Sequence, residues 1–345
     1  MTGGHRRKSG RLLIVGMTAI VLAAAGALAC SAGSRPWADE PDRVRAVVMP
    51  YLTFMPFHIA QEEGYFAEQN LDVEFVRLER IQELMTGLAL GEVDVAAGML
   101  TVNVMNSVAN GARIRLVGAV GHLDGDGCSC SAIVARRALV DSGALTDPKR
   151  LGALTFDADV RLPYGYWLDQ AVRPAGLTID DLTIVNLPES AAGEALLRGT
   201  VDVTLVSEPF LSQLLSSNEA AIWKRTNELF PDYQISVMMY GPELLDERPD
   251  VGDRFATAML KAIRQSQQGR TPRNLEIVER ASRLSALQLR SACWPGSRAD
   301  GHVDLDAFHG YQAWAVSRGY AERVLDADEL VEHRFIDHAN RELAR

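Results

Sequence analysis

The sequence predicts an α/β fold of two lobes, and three observations carry the prediction. The first is an internal echo. Leu88-Ala-Leu-Gly91-Glu92-Val93-Asp94-Val95 is matched in pattern by Leu196-Leu197-Arg198-Gly199-Thr200-Val201-Asp202-Val203. In each copy a helical run stops at a glycine, which accepts the left-handed backbone of a helix C-terminus, and a short Val-Asp-Val strand follows. The second is spacing: Gly91 and Gly199 lie 108 residues apart, the length of one small domain. The third is the alternation of strand-like and helix-like segments around both copies, the signature of parallel sheets wrapped by helices. Open α/β sheets bind ligands beyond the carboxyl ends of their strands. Both copies therefore aim their exits, Gly98-Met99-Leu100-Thr101 and Ser207-Glu208-Pro209-Phe210, at a shared site.

The elements follow in order. A strand over 44–49 stops at Pro50, and Pro56 opens a helix that Gly64 closes. Then come a strand over 71–78, a helix over 81–90, a strand over 93–97, a helix capped by Thr101 or Asn103, and a strand over 114–120. Residues 131–135 are extended, and a polar stretch runs through Asp141, Ser142, Asp147 and Pro148. A second series gives strands over 153–156, 182–187 and 201–206, with helices over 166–172, 191–197 and from Pro209 to Leu215. A last strand spans 234–240. Helical spacing then fills 251–268, 275–287, 305–317 and 328–343.

The N-terminus reads as an export signal over residues 1–29. Arg6, Arg7, Lys8 and Arg11 precede a charge-free run of 18 residues that ends in Ala27-Leu28-Ala29, a small-x-small cleavage pattern. Such a run just spans a bilayer, so a retained anchor is the alternative; its Ala/Gly-rich second half points to a signal. Cys30, directly after the cleavage point, resembles the cysteine of a bacterial lipobox, where the thiol takes a diacylglycerol anchor. Ala27 and Leu28 stand in the reverse of the usual order, so plain cleavage after Ala29 is the other outcome. Residues 30–43 then form a tether.

Loss of residues 1–29 removes four positive charges and no acids, taking the net charge from −10 to −14. So acidic a surface excludes nucleic acid as a partner and disfavours broad contact with anionic lipid. The remaining cysteines are Cys128, Cys130 and Cys293. In an oxidising compartment they make one disulfide, from the Cys128/Cys130 loop to Cys293, and leave one thiol. Cys128-Ser129-Cys130 lies beside Asp124, Asp126 and His122 but lacks a second ligand pair, so no metal site and no cofactor are expected.

The segments Pro56-Phe57-His58-Ile59-Ala60, Glu63-Gly64-Tyr65-Phe66, Leu71-Asp72-Val73-Glu74 and Gly91-Glu92-Val93-Asp94 carry a family resemblance. So do Gly176-Leu177, Gly199-Thr200-Val201-Asp202, Ser207-Glu208-Pro209 and the stretch from Gly319-Tyr320 to Arg334-Phe335. Over residues 44–343 the chain resembles the extracytoplasmic solute-binding proteins of ABC importers, in the nitrate/sulfonate/taurine and thiamine-pyrimidine (NMT1-like) class. The resemblance implies a periplasmic-binding-protein type II fold, a monomer in which two hinged lobes close over one small ligand. It implies an ABC permease as partner, and membrane attachment through Cys30 if that residue is lipidated. Lobe I would comprise 44–140 and 230–345, and lobe II 141–229, with crossings near 135–147 and 226–234.

Strand exits nominate the ligand-binding residues. Lobe I offers Tyr51, Thr53 and Phe54, then Glu79 and Arg80, then Met99 and Thr101. Lobe II offers Asp157, Arg161 and Tyr164, then Glu189, then Ser207 and Glu208. Tyr51 and Phe54 either stack a flat ligand or lie buried beneath a loop. Arg80 and Arg161 are either ligand clamps or surface charges. Glu208 leads the set, because the resemblance places a glutamate in a similar Glu-Pro corner against an aminopyrimidine. The acids tilt the expectation toward a neutral or cationic heterocycle; a sulfonate or nitrate fits if they are paired with Arg80 and Arg161. Enzymes of pyrimidine synthesis and menaquinone formation share the fold and form the alternative. The chain has no Gly-x-Ser-x-Gly and no His-Glu-x-x-His, and an export signal fits poorly with cytosolic cofactors.

Overall fold

The computed structural model describes residues 40–76, 83–123, 125, 127–282 and 284–345. Cys30, Glu79 and Arg80 lie outside the described residues. Among the described residues of the unit from Pro41 to Arg345, ten strands form two five-stranded sheets. The first holds β1 (Asp42–Val47), β2 (Leu71–Phe75), β3 (Val95–Gly98), β4 (Arg115–Leu123) and β10 (Tyr233–Tyr240) in the order β2-β1-β3-β10-β4. The second holds β5 (Ser131–Arg136), β6 (Thr155–Asp157), β7 (Thr183–Val185), β8 (Val203–Ser207) and β9 (Ala220–Arg225) in the order β7-β6-β8-β5-β9. In each sheet one strand opposes the other four: β10 runs antiparallel to β3 and β4, and β5 to β8 and β9. Each opposed strand is the first one laid down after the chain crosses between sheets. The two-lobed type II fold class is the one the sequence predicts.

Sheet pairing moves the first crossing. The sequence places it near 135–147, but Ser131–Arg136 pairs with β8 and β9, so the chain has changed sheets by Ser131. Residues 131–140 therefore belong with the second sheet rather than with lobe I. The second crossing, over 226–232, lies beside the first: Thr226 Oγ1 donates to the Ser131 carbonyl (2.8 Å) and Asn227 Nδ2 to that of Gly127 (2.8 Å). Cys128 is bonded to Cys293, which pins the first crossing to the C-terminal region; Cys130 is buried outside that disulfide.

Apolar periodicity sets which faces the helices cover. Helix α1 (Met55–Glu62) lies on one face of the first sheet with α6 (Pro249–Ser266) and α8 (Arg334–Glu342), around Phe57, Phe255 and Phe335. The other face packs α2 (Val102–Ala109) and α7 (Asp306–Ser317) around Met105, Phe308 and Tyr311. On the second sheet, α3 (Pro163–Val172) covers one face with Trp167 and Leu168, while α4 (Glu189–Leu197) and α5 (Phe210–Leu215) cover the other. Helix α7 also reaches the second lobe, where Trp314 sits 5.9 Å from the ring of Tyr166. The helix expected over 328–343 is broken in two. Val331 instead bridges Leu116 at the edge of β4, and the Glu332 N–H donates to Leu116.

Candidate functional site

The strand exits of the two sheets meet in pairs. The loop after β1 touches the loop after β8 through a hydrogen bond from Leu52 N–H to the Glu208 carbonyl (3.2 Å). The loop after β3 touches that after β6 through Val102 N–H and the Arg161 carbonyl (3.1 Å). Both bonds join backbone groups at the carboxyl ends of strands, where an open α/β sheet holds its ligand. Met99 leaves β3 half-buried and packs against the core cluster that includes Trp167, Phe156 and Tyr233.

Between the paired loops lies a polar cluster built from both lobes. Ser207 ends β8; its Oγ is 2.7 Å from Ser131 Oγ and 3.1 Å from the Tyr164 hydroxyl. The antiparallel register sets Ser131 directly opposite Ser207, which explains the first contact. Glu189 is the first residue of α4, following Pro188, and its Oε1 accepts the Ser207 N–H at 2.6 Å. From the other lobe the Tyr51 hydroxyl faces the Glu189 carboxylate, close enough for each to shift the other's pKa. The Tyr51 ring meets Phe210 edge-on at 6.3 Å, closing an aromatic side of the cluster.

Burial dominates the electrostatics here. It pushes the Glu189 carboxyl up to about 7, helped by the nearby charge of Asp157 and opposed by the Ser207 N–H and the Tyr51 hydroxyl. Burial, then the Glu189 charge, raises both Tyr51 and Tyr164, so the two phenols stay neutral donors at any physiological pH. Among the described residues no Lys, Arg or His hydrogen-bonds or ion-pairs with Glu189, Tyr51, Tyr164 or Ser207.

Thr53, Phe54, Thr101, Asp157 and Arg161, also nominated, make their contacts around this cluster. Thr53 and Phe54 are buried beneath the loop after β1, and a Cβ on Gly121 would lie only 3.1 Å from that of Thr53. Thr101 caps α2 by accepting the Val104 N–H (3.2 Å). Asp157 is buried, with its oxygens taken by Leu187 N–H (2.8 Å) and Thr204 Oγ1 (2.7 Å). The Arg161 guanidinium is exposed and paired with Asp159, so this residue supports the cleft through its carbonyl, which also accepts the Tyr311 hydroxyl (2.9 Å).

Glu208 departs furthest from expectation. It is buried, and one carboxylate oxygen accepts from Cys293 N–H (2.9 Å) and Ser212 Oγ (2.8 Å) while the other accepts from Ser212 N–H (3.1 Å). Its side chain thus turns toward α5 and the disulfide. Glu189, rather than Glu208, is the carboxylate that contacts the Ser207 end of the cluster. Ser131 and Phe210 complete the cluster, and the strand-exit rule nominates neither. The pairing of Ser131 with Ser207 is long-range and leaves no local sequence signal, and Phe210 is visible only as the residue after the Glu-Pro corner. A side groove of about 460 Å³ runs from Arg161 past Val160, Ile179 and Val185 to Tyr320.

A family model described as the NMT1-like family matches residues 38–281. No curated protein matches the chain significantly. Among solved structures, the ligand-binding component of an ABC-type import system from Staphylococcus aureus, with zinc bound, superposes with a TM-score of 0.72 at 16% identity, covering 87% of this chain and 99% of that one. The alkanesulfonate-binding protein SsuA from Xanthomonas axonopodis pv. citri, bound to MOPS, gives 0.67 at 16% identity over 85% and 99%. The desulfurization enzyme DSZB gives 0.65 at 13% identity over 88% and 99%. At these identities the likeness is one of fold.

Proposed function

The chain belongs to the NMT1-like family, and from that premise we propose that it is an extracytoplasmic solute-binding protein that captures a small organic solute between its lobes and delivers it to an ABC importer. The observation that carries the reading is the pairwise meeting of strand exits, β1 with β8 and β3 with β6, around a polar and aromatic cluster. A ligand held there touches both lobes at once, so binding and closure are coupled. ABC-import and sulfonate-binding structures of the same fold support the reading.

Candidate solutes are heterocycles of the thiamine-pyrimidine kind, sulfonates and nitrate. A thermal-shift screen of the purified protein against these classes and flavins is the direct test. Saturation at a hundred times Kd adds about 2.7 kcal/mol to stability, which is read as a raised melting temperature. A screen without a hit counts against the reading. A hit that is chemically converted, rather than recovered intact, selects the enzyme alternative to which the DSZB fold corresponds.

Export and anchoring complete the proposal. Residues 1–29 direct the chain across the cytoplasmic membrane, and a lipid on Cys30 holds it there. Among the described residues no helix is long and apolar enough to cross a membrane. Cys30→Ser is expected to move the protein from the membrane fraction to the soluble extracytoplasmic fraction. Unchanged fractionation would point to simple cleavage or a retained anchor.

A further inference from the structure

We propose that the far end of α7 is a latch: Arg318, held on the side of the first sheet, grips Asp169 and Asp180 beside the second and keeps the strand exits together without help from a solute. The latch governs access to the proposed site, and in that use alone it rests on the solute-binding reading.

Helix α7 begins at the second crossing, where Phe308 meets Tyr233 edge-on at 6.3 Å. Beyond its other end Tyr320 walls the side groove together with Ile184 and Val185 of the edge strand β7. Toward the first sheet the helix is held by apolar burial, with Tyr311 and Trp314 packed among Val102, Met105 and Met239. The turn that follows is tied to α2: Asn106 Nδ2 donates to the Tyr320 carbonyl (2.9 Å), and Asn106 Oδ1 accepts the Glu322 N–H (3.1 Å).

Toward the second sheet the hold is of another kind. A Cβ on Gly165 would stand 2.9 Å from a Trp314 ring carbon, and one on Gly310 2.5 Å from the Tyr166 hydroxyl, so α3 and α7 approach as closely as glycine allows. Arg318, directly after α7, then reaches across. Its Nη2 donates to Asp169 Oδ1 (3.2 Å), and its Nη1 pairs with Asp180. Asp169 is fully buried and the Arg318 side chain only 17% exposed, so salt screens this pair little.

Parting the exits about the two crossings must pull α7 off one sheet. Leaving the first would expose a continuous apolar core. Leaving the second strands no charge: Asp169 keeps Arg173 (2.9 Å) and the Ile179 N–H (2.9 Å), Asp180 already faces water, and Arg318 enters it. Arg318 is therefore the contact that yields, and its strength sets how often the exits part. All its partners are the protein's own groups.

Two amides report the parting. Val102 opens α2 and has no acceptor within that helix, so its protection comes from the Arg161 carbonyl; the Leu52 N–H depends likewise on Glu208. Hydrogen exchange on the purified full protein, with no solute added, is expected to find both amides protected. Arg318→Ala should speed their exchange about tenfold or more, and Asp180→Asn, which removes only the exposed arm, a few-fold. Arg323→Ala removes a neighbouring ion pair, with Glu329, that does not cross between the sheets, and should leave both rates in place.

Unprotected amides in the parent protein, unchanged rates in Arg318→Ala and Asp180→Asn, or equal acceleration by Arg323→Ala overturns the latch and leaves the solute-binding reading standing. A solute screen without a hit removes that reading and leaves the latch.

Discussion

The two Gly-x-Val-Asp-Val copies are built alike where their strands begin and differently where they end. Gly91 and Gly199 share a φ of +71° and close their helices in the same way. Each following aspartate then clasps one residue of the neighbouring strand. Asp94 exchanges two hydrogen bonds with Arg45 of β1: its Oδ2 accepts the Arg45 N–H (2.6 Å), and its own N–H donates to the Arg45 carbonyl (2.9 Å). Asp202 repeats the pattern with Thr155 of β6, at 2.9 and 2.8 Å. At the far ends the likeness stops. The first copy exits through apolar Met99 and Leu100 to the cap at Thr101, the second through Ser207 and Glu208, both fixed by polar contacts. The strand starts are duplicated because they solve one folding problem twice: joining a helix to a buried parallel strand. The exits diverge where they meet different partners: the first meets the loop after β6, the second the loop after β1.

The largest expected effect lies on the second exit, which the disulfide ties to the crossing. Cys128–Cys293 closes a sequence separation of 165 residues, and the Cys293 N–H is also the donor to Glu208. Cys128→Ser is expected to cost about 3–5 kcal/mol in urea unfolding, mostly through the freed unfolded chain. If the loss stays under about 1 kcal/mol, the second exit depends on the disulfide no more than the first does, and the asymmetry between the exits is not one of stability.

The aspartates come next. Asp94 is almost fully buried, and its carboxylate also lies 3.5 Å from Arg248, whereas Asp202 is 17% exposed and paired with Arg136. Replacing Asp94 by Ala strands the Arg45 N–H without water, a loss of about 2–3 kcal/mol. Water reaches the Asp202 position, so Asp202→Ala should cost only about 1 kcal/mol. Equal losses in denaturant titrations would mean that exposure does not distinguish the two strand starts.

The same contrast explains what can be read from sequence. Both strand starts are legible because each is local: a glycine, two β-branched residues and an aspartate within five positions. The strand-exit rule also nominates Tyr51, Tyr164, Glu189 and Ser207, which the fold brings into one cluster, since it depends on where strands end and not on how side chains turn. The direction of Glu208 is not legible. Its partners, Ser212 and Cys293, compete with the cleft for the carboxylate, and Cys293 is 85 positions away. The first crossing is misplaced for a related reason: Ala132-Ile133-Val134-Ala135 reads as a buried strand in either lobe, and only its register with β8 decides. Strand β9 (Ala220–Arg225) escapes a sequence reading because it is an edge strand, half-exposed and carrying Lys224 and Arg225, with no apolar alternation to mark it.

The smallest predicted effect is the most direct probe of the likeness itself. An alanine at either glycine meets no close neighbour: the nearest atom to a Cβ on Gly91 is a Glu243 oxygen at 4.0 Å, and on Gly199 the Arg136 guanidinium at 3.6 Å. Sterics therefore add nothing, and what remains is the cost of holding a Cβ in the left-handed region, about 1 kcal/mol. Because the two φ values agree, Gly91→Ala and Gly199→Ala should destabilise the protein equally, to within about 0.5 kcal/mol. Each loss would appear in chemical denaturation without any change in ligand affinity, since both glycines sit at the ends of their strands away from the cleft. A loss at one glycine and none at the other would show that one helix end can relax out of its turn, so that the two lobes share a pattern of residues but not the constraint behind it.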